Sequence, residues 1–163
     1  RFLVAQPRVG MVAARLLNSD GSLQQNVRRF PTALFLVCRA LGAEKWRRVP
    51  RAYLDGLVDS AVLHEPRMID WAYGAFMLLR RDVFLGVGGM DERFRLYYED
   101  VDLAYRLRRS GYTVWFYPDL KFVHAHRRDS ASRMFSRLRW WHMQSAARYF
   151  LRTGSILRPP RFD

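Results

Sequence analysis

The sequence has one cysteine, Cys38, only two lysines, Lys45 and Lys121, and no run of about 18 apolar residues able to cross a bilayer. A single thiol excludes a disulfide framework. Its place beside Leu34-Phe35-Leu36-Val37 suits a buried side chain in a reducing compartment rather than a nucleophile. There is no internal repeat and no low-complexity tract, which excludes a solenoid or a disordered spacer. The opening Arg1-Phe2-Leu3-Val4-Ala5-Gln6-Pro7 lacks an initiator methionine and the charged-then-apolar layout of a secretory leader. The chain is therefore expected to be cut from a longer protein.

What is present is a core and an excess of arginine. With 163 residues, 50% hydrophobic and 15% aromatic, one domain with a substantial buried interior is expected. The net charge of +13 comes almost wholly from arginine, whose planar fork bonds phosphates and carboxylates bidentately. Nucleic acid, a nucleotide-linked substrate and an anionic membrane all satisfy that preference.

Val9 to Leu17 reads as a buried strand, ended by the turn Asn18-Ser19-Asp20-Gly21. Thr32 is placed to cap a helix through Leu41, stopped by Gly42. Residues 43–69 show no period and are expected to form a surface excursion. Trp71 to Leu79 reads as an apolar strand interrupted by Gly74. A glycine there marks either a bulge or a floor against which a ligand lies.

Glu99, Asp100 and Asp102 concentrate negative charge in this basic chain, and such crowding calls for compensation or a task. The stretch is expected to be the first turn of a helix running to Ser110, with Gly111 as its stop. Helical spacing aligns Asp100 with Leu103, Ala104 and Leu107 on the apolar face, as a structural anchor or a site residue. Asp102 aligns with Arg106 and Arg109 and reads as an exposed ion pair.

Tyr112 to Pro118 is expected as a strand closed by Pro118, and Leu120 to His124 as a second. With His126, Arg127 and Arg128, His124 suits either a metal or a phosphate. A basic amphipathic helix is expected over 129–153, with Asp129 or Ser130 as its cap and Phe135, Leu138, Trp141, Ser145 and Tyr149 as its apolar stripe. It either packs on the core with a solvated basic face or docks on an anionic bilayer through Trp140 and Trp141. Residues 154–163 read as a tail.

These segments, in this order, resemble the C-terminal half of a family 2 glycosyltransferase of the rhamnosyltransferase-like branch. The matching residues include Asp20-Gly21, Gln24-Gln25, Arg29-Phe30-Pro31-Thr32, Gly74-Ala75-Phe76-Met77, Gly88-Gly89-Met90-Asp91-Glu92, Tyr98-Glu99-Asp100-Val101-Asp102 and His124. The resemblance implies an α/β fold of GT-A type, a mixed sheet flanked by helices. It is present here as a single C-terminal, acceptor-side partial domain carrying the amphipathic helix.

The same resemblance implies an inverting glycosyltransferase of cell-envelope glycan synthesis, possessing one catalytic base. Asp100 matches the base, and Glu99, Trp71, Gly74 and Arg29 match substrate-binding positions. His124 matches a ligand to a divalent metal, Mg2+ or Mn2+. The implied partners are a dTDP- or UDP-linked sugar donor, rhamnose among the candidates, and a lipid-linked or polysaccharide acceptor at the cytoplasmic face of the membrane. The Asp-rich motif and most of the nucleotide-binding half would precede Arg1, so this segment alone is expected to be inactive. Two other readings are a non-catalytic basic module for nucleic acid or anionic polymer, and an inactive structural partner subunit. Nucleic acid is not expected, because the arginines are dispersed and the conspicuous local feature is acidic.

Overall fold

The structure, a computed structural model, describes residues 2–125 and 137–162. A short helix, α1 (Phe2–Ala5), leads into β1 (Val9–Leu17), the nine-residue central strand. Its run of buried apolar residues fits a strand covered on both faces. β2 (Val27–Arg28) follows, then α2 (Ala33–Ala40), where Thr32 caps the helix by accepting the Phe35 N–H. α3 (Arg51–Leu54) and β3 (Arg67–Ile69) punctuate the excursion. β4 (Trp71–Ala72), β5 (Leu78–Leu79) and α4 (Arg81–Gly86) lead to α5 (Glu99–Arg109), β6 (Thr113–Val123) and α6 (Arg137–Thr153).

The main sheet has the order β3-β6-β1-β5, and β2 and β4 form a separate two-stranded sheet. β1 runs parallel to β6, while β3 and β5 are antiparallel to their neighbours. This is the mixed α/β sheet flanked by helices that the sequence implied. The core joins Met11, Ala13, Val114 and Phe116 of the sheet to Leu103, Ala104 and Leu107 of α5 and to Tyr149 of α6.

Four local expectations are corrected. Trp71 to Leu79 is not one strand: β4 and β5 belong to different sheets, and the Gly74 N–H between them goes to the Asp100 carboxylate instead of a strand ladder. Pro118 does not close a strand. β6 continues to Val123, with a register shift between the Ala14↔Tyr117 and Arg15↔Lys121 pairs, an irregularity of the kind that accommodates a residue without an N–H.

The basic side of α6 is not uniformly solvated, since Arg152 bonds Asp91 and Asp102 and Arg148 donates to the Arg93 carbonyl. Nor do residues 154–162 hang free. The carbonyls of Ser155 and Ile156 accept the Ala33 and Leu34 N–H groups of α2, and the Phe162 ring lies 5.5 Å from that of Phe30. Those two N–H groups belong to the first turn of a helix, which has no partners of its own for them. Phe135, His126, Arg127, Arg128 and the expected cap at Asp129 or Ser130 lie outside the described residues.

Candidate active site

α5 begins from an unusual backbone. Tyr97 and Tyr98 both have positive φ, 59° and 68°, a conformation that costs a bulky residue about 1–3 kcal/mol and collects at functional sites. Aromatic packing holds it in place. The Tyr98 ring stands 5.4 Å from Tyr149 and 5.8 Å from His142, and Tyr97 stands 4.9 Å from His142. All three contacts come from α6, so the last helix sets the entry into α5. No local pattern signals this, because a Tyr-Tyr pair carries none of the usual marks of a left-handed turn.

The turn delivers Glu99 and Asp100 at the N-terminus of α5. Asp100 is buried, at 9% exposure, and both of its oxygens are engaged. Oδ2 accepts the Gly74 N–H at 2.9 Å and Oδ1 accepts the Val101 N–H at 2.8 Å. Burial, and then the charge of Glu99, push the Asp100 carboxyl up to about 6 against the opposing pull of these N–H groups. Burial also raises Glu99, whose Oε2 is enclosed and has no hydrogen-bond partner among the described residues. A buried carboxylate oxygen left unmatched is unusual in a folded protein and marks a place for an incoming donor.

Asp102 departs from expectation. It is fully buried, accepting from Arg106 Nε at 2.7 Å and from Arg152 of α6. The other Arg152 nitrogen reaches Asp91 Oδ2 at 2.7 Å, and Arg106 also donates to the Val87 and Gly89 carbonyls. Asp91 lies far below the ordinary carboxylate range, chiefly through its bonds to Arg93. α5 taken alone leaves the Asp102 face to solvent; α6 covers it.

The remaining expected residues fall into two groups. The Trp71 indole donates to the Arg29 carbonyl at 2.8 Å and the Trp71 ring packs 5.7 Å from Tyr73, over which Arg28 lies. These residues form an aromatic wall leading directly to Gly74. Its Arg29 component is the carbonyl, since the Arg29 residue is otherwise exposed.

His124 sits at the end of β6, its N–H on the Leu17 carbonyl. Gln24 clasps it from two directions, with Nε2 donating to the His124 carbonyl at 2.6 Å and Oε1 lying 3.0 Å from Nδ1. The loop 73–77 connects both groups, because Phe76 stacks on Phe122 of β6 at 4.2 Å while Gly74 holds Asp100. Gln24 and Phe76 stood in the motifs without a role; only the fold supplies one.

A divalent metal fits these residues in part. An imidazole donating from Nδ1 to Gln24 Oε1 keeps its lone pair at Nε2, the form that a metal ligand needs. Among the described residues, no group of three or more His, Cys, Asp or Glu could hold an ion, so His124 would be one contributor to a site completed elsewhere.

An aspartate at a helix start, fixed by a glycine amide beside an aromatic wall, is the setting in which residues 8–142 match a family described as glycosyltransferase like family 2. The chain belongs to that family. This family 2 glycosyltransferase segment is 32% identical over 139 residues to the rhamnosyltransferase WbbL of Escherichia coli (strain K12), covering 85% of this chain and 48% of that protein. It is also 32% identical over 129 residues to the N-acetylglucosaminyl-diphospho-decaprenol L-rhamnosyltransferase of Mycobacterium tuberculosis (strain ATCC 25618 / H37Rv), covering 78% of this chain and 40% of that protein. Its backbone is similar to a solved structure of GalNAc-T7 with UDP, GalNAc and Mn2+, with a TM-score of 0.49, 15% identity and coverage of 80% of this chain and 24% of that one. The segment thus spans less than half the length of these relatives.

Proposed function

We propose that this segment supplies the acceptor side of an inverting glycosyltransferase of cell-envelope glycan synthesis, with Asp100 as the catalytic base. The observation that carries the reading is the Asp100 carboxylate, buried, oriented by the Gly74 and Val101 amides, and raised to about 6. A base poised near neutral pH both ionises and accepts a proton readily. Asp100 takes the proton of the acceptor hydroxyl as that oxygen attacks the anomeric carbon from the face opposite the leaving nucleoside diphosphate. One carboxylate is enough, because water is not the nucleophile and no glycosyl-enzyme forms.

Glu99 receives a hydroxyl of the acceptor on its unmatched oxygen. Trp71, Gly74 and the Arg29 backbone form the surface on which the sugar rests. His124 contributes one ligand to a divalent metal, Mg2+ or Mn2+; the ion, when bound, offsets charge on the donor diphosphate. The donor is a nucleotide-activated sugar, dTDP-rhamnose first among the candidates, and residues preceding this segment supply its nucleotide-binding half. The acceptor is lipid-linked, and the enzyme works at the cytoplasmic face of the membrane. Among the described residues no helix is long and apolar enough to cross a membrane, and α6 exposes Trp140, Met143 and Leu151, which suits peripheral contact.

The test is sugar transfer by the full-length protein and its Asp100→Asn variant, with dTDP-rhamnose and a membrane extract as acceptor source. Turnover is expected to fall by about 10²–10⁴; near-normal transfer by the variant would remove Asp100 from the role of base.

A further inference from the structure

The small sheet of β2 and β4 has a buried face and an open one. Val27 pairs with Ala72, and both are fully buried. Arg28 pairs with Trp71, and the Tyr73 ring packs beside Trp71 on the same side. All three of these residues are half-buried. Arg28 is therefore part of the aromatic wall that leads to Gly74.

Neutral groups hold its guanidinium in place. Cζ stands 5.2 Å from the Tyr73 ring centroid, Nη2 donates to the Tyr73 hydroxyl at 3.1 Å, and Nη1 donates to the Val27 carbonyl at 2.8 Å. Among the described residues no carboxylate pairs with Arg28, and its other N–H groups have no protein acceptor. The half-buried Arg106 and Arg152, by contrast, are neutralised by Asp102 and Asp91. Taking a cation partly out of water without a counter-charge is unfavourable. A guanidinium fixed by a ring and a hydroxyl still presents the planar donors that a carboxylate matches.

The loop 73–77 orders this cation relative to the reacting groups. Arg28 meets the loop at Tyr73, the next residue donates to Asp100, and Phe76 stacks on Phe122, two residues before His124. Arg28 thus belongs to the end of the loop that carries Trp71, where the acceptor sugar is placed above, and His124 to the end given to the donor diphosphate. The principal influences on Asp100 and Glu99 do not include Arg28, so the cation addresses a substituent away from the attacking hydroxyl. A neutral sugar packed on Trp71 and Tyr73 would cover the guanidinium and leave its charge uncompensated.

We propose that Arg28 is a specificity-determining residue that selects an acceptor sugar bearing a carboxylate, as a uronic acid does, by pairing with it while Trp71 and Tyr73 pack against the ring. The proposal rests on the glycosyltransfer reading above and adds to it an acidic sugar as the acceptor class.

The test is calorimetric titration of the full-length protein with p-nitrophenyl β-D-glucuronide and p-nitrophenyl β-D-glucoside, which differ by a carboxylate against a hydroxymethyl group, and with dTDP and UDP as donor-side probes. Arg28→Gln, Arg28→Lys and Arg47→Gln are compared with the parent after thermal melts establish that they are folded. Arg47 is exposed in the excursion, so its variant makes the same change in net charge away from the wall. The parent is expected to bind the glucuronide about tenfold more tightly than the glucoside. Arg28→Gln should abolish that preference by raising the glucuronide Kd, Arg28→Lys should keep part of it, and Arg47→Gln should keep it whole. Nucleotide binding should be the same in all four proteins.

Equal affinity of the parent for the two glycosides would overturn the proposal, whether or not the variants fold. So would a preference that survives in folded Arg28→Gln, or one lost equally in Arg47→Gln, which would reduce it to the net charge of the chain. Weaker dTDP or UDP binding in Arg28→Gln with unchanged glycoside affinities would overturn it too, moving Arg28 to the donor diphosphate. These are binding measurements and stand apart from turnover: transfer lost in Asp100→Asn without any glucuronide preference in the parent would keep the base and remove this acceptor class.

Discussion

The Gly74 N–H donates to Asp100 Oδ2 at 2.9 Å, so the candidate base takes its orientation from a loop between two sheets as well as from the Val101 N–H of its own helix. A β-carbon at Gly74 would meet Asp100 Cβ at 3.5 Å and Oδ2 at 3.7 Å, ordinary contact distances, and Gly74 has no positive φ. Gly74→Ala is therefore expected to fold normally, within about 1 kcal/mol of the parent. The added methyl would nonetheless sit beside the oxygen that an acceptor must approach, so kcat/KM should fall by about tenfold or more. A thermal melt with a transfer assay separates the two effects; unchanged kcat/KM would mean that nothing rests on this glycine.

Asp100 also predicts a pH dependence. Its carboxyl rises from 3.8 to about 6 on folding, so the native state holds the proton more tightly than the unfolded chain. The resulting stability is present below pH ~4 and is lost as pH rises through ~6, by about 3 kcal/mol at most. Glu99, raised by burial, acts in the same direction. Chemical denaturation from pH 4 to 7 should show this fall, and Asp100→Asn should reduce it. Catalysis runs the other way, since the base must be ionised: kcat/KM should drop with decreasing pH below about 6 with a slope of one proton.

The pairing of Asp102 with Arg106 and Arg152 joins α5 to α6. Removing one member of a buried pair leaves an uncompensated charge and costs about 3–5 kcal/mol. Asp102→Ala and Arg152→Ala should each lower Tm strongly, and the double variant should lose less than the sum. Asp82→Ala, which breaks the exposed pair with Arg80, should change stability by less than about 1 kcal/mol. Equal effects at Asp82 and Asp102 would contradict the assignment of Asp102 to the interior.

For His124 the readout is the concentration of Mg2+ or Mn2+ needed for half-maximal transfer. His124→Ala should raise it, and Gln24→Leu, which leaves the imidazole in place without its Nδ1 partner, should raise it by a smaller factor within about 10–100-fold. An unchanged metal requirement in His124→Ala would remove the histidine from the metal site.

Much of the fold was legible because local signals agreed with tertiary structure. Thr32 bounded α2 through its side-chain cap, Gly42 through a φ of 66°, and Gly111 stopped α5 with a φ of 81°. The inward direction of Asp100 followed from its i+3, i+4 and i+7 companions on α5, all fully buried. Asp102 was misread by the same logic, because helical periodicity describes one helix and does not know that a second, more than 30 residues later, will cover the opposite face.

From the sequence alone came the element types, the apolar faces, the inward aspartate and the order of motifs that mark the family. These depend on side-chain period and cap chemistry, which act over a few residues. Tertiary structure alone decided that Trp71 to Leu79 is shared between two sheets, that β6 runs past Pro118, that Asp102 is an interior ion-pair partner, and that α6 props the strained Tyr97-Tyr98 turn ahead of Asp100. Each of these rests on contacts between residues far apart in the chain, whose mutual burial no local pattern encodes.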